Sequence, residues 1–178
     1  MNEKNEKLHN IRHSLAHLLA IAVLEKDPAA KLGIGPVIDN GFYYDFEFSN
    51  GYTPSVEDLK SFEKAMKKMT NKVIPFEGKA VSVLDAKKLF KDQPYKTELI
   101  EEFSKEGKTL TLYTTGTFTD LCKGGHVENT KEIPADGFKI THTAGAYWRG
   151  SEKNPMLTRI YGLAFEDGAS LDAYLKQQ

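Results

Sequence analysis

One helix constrains the fold of this chain more than any other stretch: residues 11–24, IRHSLAHLLAIAVL. Leucine, alanine, isoleucine and valine favour a helix, and neither glycine nor proline interrupts the run before Pro28. Apolar side chains fall on almost every side of this helix, which predicts that it is buried. His13 and His17 nevertheless lie within it, four residues apart and therefore one turn apart on the same face. Because burial of an unpartnered imidazole is unfavourable, the two histidines predict a polar site beside the helix.

The next stretch predicts a β-hairpin that the first helix covers. Residues 32–38 read as a short strand, and Asp39-Asn40-Gly41 predicts a type I′ turn because Asn-Gly readily adopts positive φ values. The return strand, residues 42–48, alternates, with phenylalanine and tyrosine on one face and Tyr43, Asp45 and Glu47 on the other. A strand with one apolar face needs a cover, and the first helix is the natural candidate.

A second helix is expected to begin near Ser55, with Thr53 or Ser55 as the N-cap. Its lysines are expected to form a solvated face, with an edge that contacts phosphate as the alternative. Its core stripe consists of Leu59, Phe62, Met66, Met69 and Val73.

The remaining pattern completes an α+β domain with a mostly antiparallel sheet packed around the buried N-terminal helix. Proline at position 94 suits a first helical turn, and Lys96 then lies outside any core stripe. Residues 1–178 are expected to form a single domain whose C-terminal helix is cut short by the end of the chain. The other expected strands cover residues 74–83, 109–113, 138–148 and 157–165, and the other expected helices cover residues 85–90, 97–103 and 170–178.

Composition excludes several classes of protein. The 24 basic and 25 acidic residues nearly cancel, which argues against a protein that coats nucleic acid but leaves room for a local basic groove. The single cysteine excludes an internal disulfide and predicts a reducing compartment. No run approaches the roughly 18 apolar residues of a membrane span, and the charged first ten residues do not predict a signal peptide. We expect a cytoplasmic protein with no membrane partner.

Two residue pairs carry the chemistry of the sequence. His13 and His17 lie at i, i+4 on the helix, whereas Cys122 and His126 flank two glycines in a loop preceded by Asp120. Such a set can bind zinc, or it can hold a water molecule by hydrogen bonds and move its protons. Each pair taken alone also has a purely structural interpretation. The two histidines can be a hydrogen-bonded pair in the core, and the cysteine can be a small buried apolar side chain. Their joint occurrence favours a common site.

Long stretches of the chain resemble the editing domain of bacterial threonyl-tRNA synthetase, which is related to the alanyl-tRNA editing domains. The resemblance is carried in family order by residues 13–19, 34–45, 120–126, 143–150 and 159–162. The His-x-x-x-His and Cys-x-x-x-His pairs are shared with the alanyl branch, whereas the long stretch at 34–45 indicates the threonyl branch. The sequence departs from the family pattern at Gly125, where proline usually precedes the histidine.

This resemblance implies proofreading hydrolysis of mischarged seryl-tRNA(Thr), with the tRNA acceptor end and the rest of the synthetase as partners. Nothing in the chain resembles the machinery for aminoacylation. The alternatives are a freestanding deacylase that acts in trans and a non-catalytic module that binds the acceptor end. No cofactor is expected to be required; if zinc binds, its ligands would be His13, His17, Cys122 and His126. The candidate catalytic residues are His13, His17, Lys96, Asp120, Cys122 and His126.

Overall fold

The computed structural model describes residues 2–178, which contain five α-helices and two antiparallel sheets. The helices are α1 (Glu3–Lys26), α2 (Val56–Thr70), α3 (Val83–Leu89), α4 (Pro94–Lys105) and α5 (Gly168–Gln177). The strands are β1 (Lys31–Leu32), β2 (Val37–Ile38), β3 (Gly41–Glu47), β4 (Phe76–Val81), β5 (Leu110–Thr115), β6 (Phe118–Leu121), β7 (Phe138–Tyr147) and β8 (Met156–Ala164). The prediction of an α+β fold built from antiparallel strands is confirmed.

Helix α1 is the buried helix that the sequence predicts, extended by two turns at its N-terminus. The Asn2 side chain caps it by accepting a hydrogen bond from the Asn5 N–H, and the helix ends at Lys26, before Pro28. Ten of its residues are buried, and the eight apolar ones pack in one core with the apolar residues of β3 and α2. Because α1 lies at the centre of this core, its polar side chains are held in fixed positions.

The larger sheet has the strand order β1-β3-β8-β7, with β2 paired to the start of β3. The expected apolar face of β3 is confirmed, since Phe42, Tyr44 and Phe46 are fully buried in the core that contains α1. Across the sheet, Tyr44 lies opposite Ile160 of β8. Tyr44 therefore points its hydroxyl from the sheet into the interior of the protein.

The expected strand at residues 32–38 was wrong in detail, because only its two ends are strands. Its middle still follows β3: the Gly33 N–H bonds the Asp45 carbonyl at 2.7 Å, and the Asp45 N–H bonds the Ile34 carbonyl at 3.0 Å. A Cβ atom on Gly35 would lie only 2.3 Å from the Tyr44 ring, so glycine is required for this close approach. The segment is paired but too irregular to form a continuous ladder.

The predicted turn type was also wrong. The hairpin joins Ile38 to Gly41 through two residues, as expected, but only Asn40 has a positive φ, at 66°. A type I′ turn needs positive φ at both central residues. Gly41 serves another purpose, since a Cβ there would lie 1.8 Å from the Gly162 carbonyl oxygen of β8.

Helix α2 begins as predicted, with Ser55 and Asp58 forming a reciprocal capping box. Its core stripe is confirmed as far as Met69, but Val73 is 66% exposed because the helix ends at Thr70. One lysine is not simply solvated, since the Lys67 ammonium donates to the Phe138 carbonyl at 3.1 Å. These contacts tie α2 to the edge of the larger sheet.

The smaller sheet, in the order β4-β5-β6, packs with α3 and α4 around a second apolar cluster. Helix α4 begins at Pro94, as the sequence predicts, and it carries Lys96 in its first turn. Strand β6 ends at Leu121, directly before the glycine-containing loop. None of the helices in residues 2–178 has the length and apolar character needed to cross a membrane.

Candidate active site

Helix α1, strand β3, helix α4, strand β6 and the loop that follows β6 converge on one polar cluster inside the fold. It contains all six residues that the sequence indicated, together with one that it did not. We call this set the polar cluster: His13, His17, Tyr44, Lys96, Asp120, Cys122 and His126.

The floor of the polar cluster is a buried ion pair braced by a phenol. The Lys96 ammonium lies 2.7 Å from Asp120 Oδ1, and the Tyr44 hydroxyl donates to Asp120 Oδ2 at 2.8 Å. Lys96 also donates to the Tyr44 oxygen at 3.1 Å. The Lys96 and Asp120 side chains are only 2% and 5% exposed, so the expectation that Lys96 lies outside the core was wrong. Its partners, which the helical pattern does not reveal, draw it inward.

Electrostatics keep this floor charged. Burial would raise the pKa of Asp120, but the neighbouring Lys96 and His17, together with the hydrogen bonds to the carboxylate, outweigh burial and place the pKa below its ordinary value. The Leu121 N–H adds a further hydrogen bond to Oδ1, at 2.8 Å. Burial and the adjacent Asp120 raise the pKa of Tyr44 well above its ordinary value, so the phenol keeps its proton. The floor therefore presents a carboxylate, an ammonium and a neutral phenol.

Three imidazoles lie above the floor. His17 Nε2 is 3.1 Å from His126 Nε2 and 3.8 Å from Asp120 Oδ2, and His17 is 1% exposed. The His13 ring stacks on His126 with 4.1 Å between ring centroids. His13 and His126 are partly exposed, so the polar cluster opens to solvent on their side. His13 and His126 therefore lie nearest to solvent, and His17 and the ion pair lie deeper.

The imidazoles are neutral at physiological pH. Burial lowers the pKa of His17 to about 4, where the attraction of Asp120 only partly opposes it. Burial and the neighbouring His17 and His13 lower the pKa of His126 to about 2. Burial also lowers the pKa of His13. Neutral imidazoles offer an unprotonated nitrogen that can accept a hydrogen bond from water.

The loop that carries Cys122 and His126 owes its shape to two glycines. Gly124 and Gly125 have φ values of 108° and 86°, a region that L side chains rarely adopt. Proline, whose φ is fixed near −65°, cannot take the conformation that Gly125 has here. A Cβ on Gly124 would also lie 2.8 Å from the Tyr113 hydroxyl. These glycines let the loop close over α1.

The Cys122 thiol is placed to contact His126 but not to act as a thiolate. Its sulfur lies 3.6 Å from His126 Nε2. Burial, reinforced by the negative charge of Asp120, raises the pKa of Cys122 to about 12. Since the thiolate is the nucleophilic form, this environment disfavours covalent catalysis by Cys122.

The polar cluster matches zinc in the type of its donors, but in the described part of the chain only one of its three imidazoles has a protein group behind it, since His13 Nδ1 lies 3.2 Å from the Gly125 carbonyl oxygen. One donor atom from each of His13, His17, Cys122 and His126 lies within 4.8 Å of the others, and these four would hold the ion. A bound zinc would supply Lewis acidity, although four protein donors leave no open position for water. A metal-binding histidine ordinarily donates its second N–H to a carboxylate, carbonyl or water. Nδ1 of His17 and Nδ1 of His126 are buried without a hydrogen-bond partner among residues 2–178.

Tyr44 is the member of the polar cluster that sequence reasoning missed. It sits on the apolar face of β3 between two phenylalanines, where alternation predicts only a core ring. Its hydroxyl was the available signal, because a buried phenol usually needs a polar partner. His142, on strand β7, lies outside the polar cluster and stacks on Tyr161 with 4.6 Å between the ring centroids.

Comparison with known proteins supports the resemblance seen in the sequence. Residues 110–161 match the family model described as the threonyl and alanyl tRNA synthetase second additional domain. The chain is 52% identical over 167 residues to a threonine–tRNA ligase of Thermotoga maritima, covering 93% of this chain and 25% of the relative. It is 51% identical over 168 residues to that of Dehalococcoides mccartyi (94% and 28%) and 46% identical over 173 residues to that of Borreliella burgdorferi (97% and 29%).

The chain thus spans between a quarter and three tenths of the length of these relatives. The matched family segment contains Asp120, Cys122 and His126, while the identity to the ligases extends over almost the whole chain. Together with the α+β fold, these findings show that residues 110–161 are similar to the threonyl and alanyl tRNA synthetase second additional domain and that almost the whole chain is similar to one part of threonine–tRNA ligases.

Proposed function

We propose that this chain proofreads tRNA(Thr) by hydrolysing the ester of seryl-tRNA(Thr). The observation that carries the proposal is the convergence of neutral imidazoles on a buried lysine–aspartate pair at the end of an opening to solvent. The family comparison supports a role beside a threonine–tRNA ligase. The ligase activity of the longer relatives is not assigned to this chain.

The need for such a site follows from the limits of recognition. Serine differs from threonine by one methyl group, and a methyl in a binding pocket is worth only ~1–3 kcal/mol. A ligase for threonine therefore charges some serine. A second site can reject threonine by steric exclusion, because the extra methyl collides where serine fits. Selection by size in a separate hydrolytic site then supplies the missing accuracy.

Each part of the polar cluster suits one requirement of ester hydrolysis. A neutral imidazole of His17 or His126 can accept a hydrogen bond from water and take its proton as the water attacks the ester carbon. The Lys96 ammonium can stabilise the negative charge that develops on the carbonyl oxygen, and proton return to the departing ribose oxygen completes the reaction. Asp120 and Tyr44 hold the Lys96 ammonium in place.

We further propose that hydrolysis needs no metal ion. The Nδ1 atoms of His17 and His126 support this, because within residues 2–178 no carboxylate or carbonyl accepts a hydrogen bond from them, as one ordinarily does behind a zinc-binding imidazole. The proposed partners are the acceptor end of tRNA(Thr) carrying serine and the remainder of a longer synthetase. The reducing environment implied by a single free cysteine fits a cytoplasmic location.

A deacylation assay tests the proposal. The purified chain is incubated with seryl-tRNA(Thr), with and without EDTA, and release of serine is followed against a buffer blank. We expect hydrolysis that survives chelation and is lost in His17→Ala. Binding of the tRNA without hydrolysis would instead support the non-catalytic module. Hydrolysis abolished by EDTA and restored by zinc would overturn the metal-free mechanism while leaving the editing function in place.

A further inference from the structure

Ser14 lies between the two histidines of α1, yet the proposed chemistry does not use it. It is 0% exposed, and its hydroxyl donates to the Asn10 carbonyl at 2.7 Å, within the helix. The same oxygen accepts the backbone N–H of Val127 at 3.0 Å. Since Val127 directly follows His126, this bond joins the histidine helix to the loop that carries the third imidazole.

The loop needs such an attachment because of its own composition. Gly124 and Gly125 leave its backbone with more conformational freedom than other residues would. Its entry is fixed to β5, where the Cys122 N–H bonds the Thr111 carbonyl at 3.1 Å. The bond from Val127 to Ser14 fixes its exit to α1. His126 therefore lies between two fixed points, the nearer of which is provided by Ser14.

The contact from His13 to the Gly125 carbonyl cannot replace this attachment. It measures 3.2 Å, lies at the exposed side, and depends on which ring nitrogen of His13 carries the proton. The bond from Val127 to Ser14 is buried and has a fixed donor and acceptor. A buried N–H that loses its acceptor retains the full desolvation penalty, so the segment would shift to regain one.

We propose that Ser14 is a positioning residue that sets the depth of His126 over His17 by holding the Val127 N–H. This proposal rests on the proposed function for its kinetic consequence but not for its geometry. A displacement of about 1 Å at a reacting group can lower a rate by about 10²-fold. Loss of the serine hydroxyl should therefore act on the chemical step through His126 and leave substrate binding largely unchanged.

The test compares Ser14→Ala with Ser14→Thr, which keeps a hydroxyl able to bond the same groups, and with Thr130→Ala as a matched control. Thr130 is also fully buried, and its hydroxyl accepts the Ile74 N–H at 3.0 Å and donates to the Lys72 carbonyl, neither of which belongs to the polar cluster. Each protein is examined by NMR for the His126 ring resonances and for exchange of the Val127 amide. Steady-state deacylation of seryl-tRNA(Thr) provides kcat and KM.

We expect Ser14→Ala to move the His126 ring signals, to expose the Val127 amide to exchange, and to lower kcat by about 10- to 100-fold with KM within about twofold. Ser14→Thr should recover part of the rate, and Thr130→Ala should lose stability without this loss of kcat. Unmoved His126 signals in Ser14→Ala, or an equal loss of kcat in Thr130→Ala, would overturn the proposal. If the wild-type chain does not hydrolyse seryl-tRNA(Thr), the proposed function fails, and the NMR comparison alone decides the role of Ser14.

Discussion

Replacement of Lys96 by methionine should destabilise the fold as well as impair hydrolysis. The change keeps most of the side-chain length but leaves the Asp120 carboxylate buried without its cation. Removing one partner of a buried ion pair costs about 3–5 kcal/mol. Asp120 keeps two hydrogen bonds, from the Tyr44 hydroxyl and the Leu121 N–H, so we expect the lower end of this range, about 3 kcal/mol. For a domain of this size, that corresponds to a fall in Tm of roughly 6–12 °C.

Urea unfolding followed by circular dichroism at pH 7.5 measures this loss. A double variant, Lys96→Met with Asp120→Asn, should recover most of it because no uncompensated charge then remains in the interior. Lys87→Met serves as the matched control, since Lys87 pairs with Glu101 at 3.4 Å on the surface. This change should lower the free energy of unfolding by no more than about 1 kcal/mol. If Lys96→Met is as stable as the control, or if the double variant is no more stable than Lys96→Met, the buried carboxylate does not need Lys96 as its counter-ion.

Three further outcomes are expected. The pKa values of about 4 for His17 and about 2 for His126 lie below the ordinary 6.5, so the unfolded chain binds more protons than the folded chain below pH 6.5. The free energy of unfolding should therefore fall as the pH is lowered from 6.5 towards 4. A free energy of unfolding that stays constant in urea titrations over that range would contradict the assignment of these histidines as buried and neutral. Cys122→Ser should retain a measurable fraction of the deacylation rate, because the thiol is protonated and a hydroxyl can replace its hydrogen bonds. Complete inactivity of a folded Cys122→Ser variant would instead indicate covalent or metal chemistry. Tyr44→Phe should lower the free energy of unfolding in urea by about 1–2 kcal/mol and reduce the deacylation rate, since Asp120 loses a buried hydrogen-bond donor. Unchanged values in both measurements would show that the phenol does not support the ion pair.

The sequence predicted those parts of the fold that depend on local pattern. The apolar run of α1, the alternation of β3 and the Ser55 cap of α2 are each decided by neighbouring residues, and the structure has all three. The segment at residues 33–36 was misread because its irregularity is decided by close packing against Asp45 and Tyr44, which local pattern does not contain.

The same distinction applies to the polar cluster. The spacing of His13 and His17 places both on one face of a helix, so their proximity could be predicted. The position of Lys96 could not, since its burial depends on Asp120, which lies 24 residues further along the chain on another element. The role of Tyr44 could not be predicted for the same reason, because its polar partners come from α4 and β6. The resemblance to a family indicated Lys96 where physical pattern alone did not.

The most direct test of the central claim is a side-by-side measurement of initial deacylation rates on seryl-tRNA(Thr) and threonyl-tRNA(Thr), with the same preparation of tRNA and the same chain concentration. The two substrates differ by one methyl group, which a binding pocket discriminates by about 10- to 200-fold, so steric exclusion from a hydrolytic site should reach at least the lower end of this range. Hydrolysis of the seryl ester should be at least about tenfold faster than that of the threonyl ester. Equal rates on the two esters, or no rate above the buffer blank on either, would contradict this expectation.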